Sequence, residues 1–144
     1  MLFGHIAVSA LLHRYLDAEL GPAVAGGIFP DTVDKPLCQV LHITPSGRMY
    51  AHTLLSAGLT SLGVGLIWGR RAGVSWGLGY LGHLLSDSTG FVPWFYPFSS
   101  YRFYRGTATL FGSLGNFFIR PKWVEWLLLI WAVWAFTFGR GKGK

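Results

Sequence analysis

Residues 50–68 read YAHTLLSAGLTSLGVGLIW, a stretch without Asp, Glu, Lys or Arg. As helix, such a run would extend about 28 Å, close to the hydrocarbon thickness of a bilayer. Its length and apolarity predict a membrane-spanning helix. Gly69-Arg70-Arg71 follows, a turn so tight that the next segment must return antiparallel. That next segment, Ala72 to Gly90, is a second apolar run, interrupted by His83 and Asp87. Trp123 to Phe138, WVEWLLLIWAVWAFTF, is a third. Upstream, Leu2–Leu16 and Leu20–Phe29 are shorter apolar pieces joined by a polar turn, the second expected to stop at Pro30. Asp31 to Met49, with Pro36, Pro45 and Gly47, reads as a loop. The expected fold is an all-α integral membrane bundle of about three long spans plus a short N-terminal helical pair. An aromatic-rich interfacial loop begins at FVPWFYPFSSYRFYRG (91–106), with a short helix expected in TATLFGSLGNFF (107–118).

Composition agrees with a membrane setting. The chain has 144 residues, enough for a single domain over 1–144. Hydrophobic residues make up 51% and charged residues only 12%, about half the share of an ordinary soluble domain. Seven Trp suit membrane interfaces. The net charge of +6 is therefore weak evidence for nucleic acid, and none is expected as a partner. The basic residues cluster at segment ends (Arg70-Arg71, Arg120/Lys122, Arg140/Lys142/Lys144), where they would meet the headgroups of membrane lipid. Lone Cys38 excludes an internal disulfide, and the N-terminus lacks the basic and cleavage regions of a signal peptide.

Traced through this topology, His5, Asp31, Asp34, His52, His83 and Asp87 all arrive at one face. An Asp at the centre of a membrane helix costs roughly 2.5–3.5 kcal/mol, so it needs a partner. His83 and Asp87 are four residues apart and share one helical face. Imidazole and carboxylate together are ligands for a divalent metal. Taken singly, each residue also has a plain structural reading: a packed His/Asp pair, an interfacial His5, a helix-ending PDTVD turn. Their convergence in so weakly charged a chain favours metal. His13 and His42 stand apart from the group. Six cations fall on each side of the expected bundle. The positive-inside rule, weighted to short loops, leans toward an outward-facing site at the inner membrane.

The order of motifs, His5, FPDTVDKP (29–36), GRMYAHTLL (47–55), GYLGHLLSDSTG (79–90) and WFYPF (94–98), resembles the membrane-bound metal-dependent hydrolase family. That family is also catalogued as LexA-binding, inner-membrane-associated hydrolases. A more distant similarity reaches the zinc-dependent phospholipase C-like proteins. By position, the resemblance implies Asp31, His52, His83 and Asp87 as metal ligands, with His5 as a further ligand or orienter. Arg48 and Asp34 match the remaining motif positions. The sequence departs from the family in three places: one extra residue separates Asp31 from Asp34, Gly47 replaces a histidine, and Thr53 replaces a serine.

These residues suggest metal-dependent hydrolysis at the membrane surface. A zinc ion, the expected cofactor, would activate water, Asp34 would accept its proton, and Arg48 would hold a phosphoryl group. Arg102 and Arg105, among aromatics, would bind the headgroup of a lipid or other amphiphilic phosphoester. The alternative is a non-catalytic membrane protein that holds metal structurally or tethers a partner. The absence of an inverted repeat argues against a transporter.

Overall fold

A computed structural model describes residues 2–88, 91–103 and 123–138. They form five α-helices and, among the described residues, no strand: α1 (Leu2–Leu16), α2 (Leu20–Gln39), α3 (Leu54–Trp68), α4 (Arg70–Asp87) and α5 (Trp123–Thr137). The short helix expected in 107–118 lies outside the described residues.

The three expected membrane spans are not present: no described helix is long and apolar enough to cross a bilayer. The reasons are local. Helices α1, α3 and α5 have 15 residues each, about 22 Å of rise against a hydrocarbon core of about 30 Å. Helix α3 falls short because residues 50–53, apolar enough to read as helix, are loop. The backbone N–H groups of residues 50–52 are diverted to a carboxylate, described below. Helices α2 and α4 are longer, at 20 and 18 residues. But α2 carries Asp31, Asp34 and Lys35, and α4 carries Arg70, Arg71, His83 and Asp87. The orientation inferred from the positive charges rested on those spans and falls with them.

Pro30 does not end the second segment. Helix α2 continues through Pro30 and Pro36 to Gln39. Each proline withdraws one N–H from the helical ladder, yet the helix persists because its face is held against its neighbours. Residues 31–39, read as loop from the sequence, are therefore helical and carry the aspartates on a rigid element.

Helix α4 lies at the centre, against α1, α2 and α3, while α1 also packs on α2 and α5. The α2–α4 approach is very close. A Cβ on Gly79 would stand 1.9 Å from the Ala23 carbonyl oxygen, and one on Gly26 would stand 2.3 Å from that of Trp76. Only glycine allows backbones to meet at this distance. Two apolar clusters flank the contact. Ala7, Leu11, Ala132 and Ala135 join α1 to α5. Ala57, Tyr80, Leu84 and Val92, with Phe29 and Trp76 against them, join α3, α4 and the 91–103 segment. The Tyr80 hydroxyl reaches the Ala51 carbonyl and lies 2.9 Å from Ser56 Oγ, tying α4 to the loop before α3.

Candidate metal centre

Three elements deliver four donors to one point. Asp31 comes from α2, His52 from the loop before α3, and His83 and Asp87 from successive turns of α4. One ligand atom from each lies within 4.8 Å of all the others. The two Nε2 atoms of His52 and His83 are 3.2 Å apart. His52 Nε2 is 3.6 Å from Asp31 Oδ1 and 3.8 Å from Asp87 Oδ2. His83 Nε2 is 3.9 Å from each of the same two oxygens. Donors bonded tetrahedrally to zinc at 2.0–2.1 Å would stand about 3.3–3.4 Å apart. These five separations, 3.2–3.9 Å, bracket that value.

The backs of the imidazoles are equally defined. His83 Nδ1 lies 2.7 Å from the Gly27 carbonyl oxygen, which only accepts, so Nδ1 carries the proton and donates it. His52 Nδ1 lies 2.8 Å from Asp34 Oδ2 and donates to that carboxylate. Both Nε2 lone pairs are thereby turned inward, the arrangement in which oxygen acceptors behind metal-binding histidines fix tautomer and ring orientation. Two lone pairs facing at 3.2 Å repel unless a cation or a proton lies between them. The donor set therefore fits a divalent ion.

Asp34 organises the loop. Its two oxygens accept from the backbone N–H groups of Met49, Tyr50, Ala51 and His52 at 2.7–3.2 Å, besides the His52 ring. These bonds wrap residues 49–52 around one carboxylate and delay the start of α3 to Leu54. Thr53 then caps the helix, its hydroxyl accepting from Ser56 N at 3.0 Å. Asp34 is fully buried. Burial opposes its charge, but the His52 ring and the Ala51 and Met49 N–H groups outweigh it and keep its pKa below the usual value.

Electrostatics divide the histidines. Burial, with His83 beside it, pushes His5 down to about 3. Burial also lowers His83, against the pull of Asp31. Both rings are neutral at physiological pH, the form that ligates metal. Burial acts the same way on His52, but the Asp31 and Asp34 carboxylates win and raise its pKa, so of the two facing imidazoles His52 is the one that more readily takes a proton when no cation is bound.

Cations guard the carboxylates. Arg48 Nη2 is 2.8 Å from Asp87 Oδ2, and Lys35 Nζ bonds Asp31 Oδ2 within one turn of α2. Their side chains are 37% and 41% exposed, whereas the two histidines are shut away. The outward side of the centre is therefore positive. Lys35 was not expected at the site. An Asp and a Lys four residues apart signal such a pair only on a helix, and this segment reads as loop. The Gly27 carbonyl leaves no side-chain signature at all.

The other expected residues lie at varying distances. His5 stacks on His83 with ring centroids 3.9 Å apart, and its Nε2 is 3.9 Å from Asp87 Oδ1. It stands beside the group of four, its Nδ1 buried without a hydrogen-bond partner among the described residues. Arg102 is exposed on the 91–103 segment. Arg105 lies outside the described residues.

These features define a small helical protein built around a buried histidine–aspartate cluster. The chain belongs to the YdjM inner membrane protein family, which it matches over residues 1–142. The match supports the membrane-bound part of the resemblance drawn from the motifs. It names neither a hydrolase, a metal nor LexA. No curated protein and no solved structure matches the chain.

Proposed function

We propose that this inner membrane family member is a metal-dependent hydrolase of an anionic, amphiphilic phosphoester. The observation that carries the reading is the convergence of Asp31, His52, His83 and Asp87, with both imidazoles held from behind by oxygen acceptors. These four residues would hold the ion, and His5 would support His83 by stacking. When bound, a divalent ion such as zinc supplies a Lewis acid and an activated water. Asp34 is better suited to holding His52 than to taking a proton, because its oxygens already serve five donors. Arg48 and Lys35 provide the positive rim that attracts an anion. Arg48 can exchange Asp87 for a phosphoryl oxygen, since guanidinium binds both through the same fork. Arg102 and Arg105 would contact the headgroup.

A structural metal site is the second reading, favoured by the donor count: four protein ligands can close a tetrahedral shell. Cobalt substitution separates the two. Purified protein loaded with Co²⁺ is followed by absorption while inorganic phosphate is added, and a lipid and phosphoester panel is assayed in parallel. An open site gives a spectrum that phosphate perturbs, together with turnover. A phosphate-insensitive four-coordinate spectrum without turnover assigns the ion a structural role.

A further inference from the structure

Away from the metal centre, the seam between α3 and α4 carries an open groove of about 540 Å³, within the range of small-molecule sites, about 300–1,000 Å³. Its floor is bare backbone. Gly65 and Gly73 face each other so closely that a Cβ on Gly73 would lie 2.6 Å from Gly65 Cα. Its walls are aliphatic: Leu62, Leu66 and Val74, exposed at 61%, 79% and 54%. Ordinary packing leaves single leucines on a surface, but these line one continuous channel. At one end the groove meets Arg70. Neighbouring Arg71 is engaged with Asp17 and Glu19 at 3.4 and 3.9 Å. Arg70 makes no ion pair with any described residue.

We infer that this groove holds an acyl chain of an anionic phospholipid whose phosphate sits on Arg70. The occupant follows from the chemistry of the two parts. An aliphatic channel accepts hydrocarbon, and a cation at its mouth without an ion-pair partner among the described residues calls for an anion tethered to that hydrocarbon. A protein of an inner membrane family has such lipids at hand. Arg70 and His83 are thirteen residues apart on α4, about 20 Å of helix. A phosphate seated on Arg70 is therefore too far away to be the phosphoryl group at the metal centre. The bound lipid would seal the face that α3 and α4 leave uncovered.

The test uses the full chain in mild detergent, titrated with phosphatidylglycerol or phosphatidylcholine of identical acyl chains and read by native mass spectrometry. Wild type should retain phosphatidylglycerol in preference to phosphatidylcholine by about five-fold, what one arginine beside an anionic headgroup contributes. Arg70→Ala should lose that preference, and Arg71→Ala should keep it. Gly65→Leu, which fills the floor, should weaken retention of both lipids. Because Arg70 is exposed and pairs with no described residue, its replacement leaves the fold intact, which unchanged helical circular dichroism will verify. Equal lipid preference in wild type and Arg70→Ala overturns the inference. So does a lipid-independent dimer that Gly65→Leu disrupts, since the groove's occupant would then be a second copy of the chain.

Discussion

Asp34 and His52 hold each other in place. One carboxylate oxygen lies 2.8 Å from the ring Nδ1, and the same carboxylate gathers the backbone N–H groups of residues 49–52. A single side chain on α2 thereby fixes both the path of the loop and the tautomer of a metal donor. Asp34→Asn can still accept from the loop through its carbonyl oxygen, but its amide cannot replace every carboxylate bond. Metal affinity should fall about 10–100-fold, the usual cost of losing a partner behind a metal-binding histidine. Asp34→Ala removes the hub entirely and should cost about 3–5 kcal/mol of stability, as for breaking a buried pair. Metal titration and denaturant melts of the two variants measure these separately. Unchanged affinity in Asp34→Asn would show that His52 needs no support.

Metal binding and folding should be linked. The donors come from three elements, so an ion bound among them ties α2, α4 and the loop before α3 together. At a free ion concentration one hundred times the dissociation constant, the folded state gains about 2.7 kcal/mol. Chelator treatment should therefore lower the melting temperature of wild type. His83→Ala and Asp87→Ala should contain little metal and show no further drop on chelation. A melting temperature indifferent to chelator in all three proteins would count against a bound ion.

The helical content and the His83/Asp87 pair were legible because both depend on short-range spacing, whereas the convergence of Asp31 and His52 on that pair was read from the order of the segments and holds although the membrane spans assumed for it do not. His83 and Asp87 share a face in any helix, and the apolar runs of α1, α4 and α5 mark their own ends closely. Two features were not legible. Proline reads locally as a helix stop, but α2 passes through Pro30 and Pro36 because tertiary contact along its face decides the matter. Residues 50–53 have the composition of a helix, but Asp34, sixteen or more positions upstream, claims the N–H groups of Tyr50, Ala51 and His52. That long-range bond shortens α3 to 15 residues and removes the span the sequence promised.

The glycine contact between α2 and α4 should matter for the site as well as the fold. Gly79 meets the Ala23 carbonyl where no Cβ fits. One turn along α2, the Gly27 carbonyl meets His83 Nδ1. Gly79→Val should destabilise the protein at or beyond the upper end of the usual overpacking range of about 1–3 kcal/mol. In the folded fraction it should also weaken metal binding, because separating the helices withdraws Gly27 from His83. Gly21→Ala, where nothing lies within 4 Å, is the control and should change neither. Full metal affinity in a destabilised Gly79→Val would uncouple the contact from the site.

Arg48 gives the sharpest separation of metal binding from turnover. Its guanidinium holds Asp87 Oδ2 at 2.8 Å, the same oxygen that faces His52 and His83. In the metal-free chain it therefore competes with an incoming ion for that carboxylate. Arg48→Ala should bind the ion as tightly as wild type or more tightly, because the competitor is gone. If Arg48 also steadies the charge that develops on a phosphoryl group, the same variant should lose about 10²–10³-fold in rate, the cost of removing one donor to a transition state. Lysine keeps the charge without the planar fork, so Arg48→Lys should recover part of the rate. Lys35→Ala should weaken substrate binding more than turnover, because Lys35 pairs with Asp31 from the exposed rim. The measurements are metal affinity by competition with a chelator and steady-state kinetics on whichever phosphoester the panel identifies. Tighter metal binding with slow turnover in Arg48→Ala places the arginine on the substrate. Parallel loss of metal and activity would make it a support for Asp87 alone.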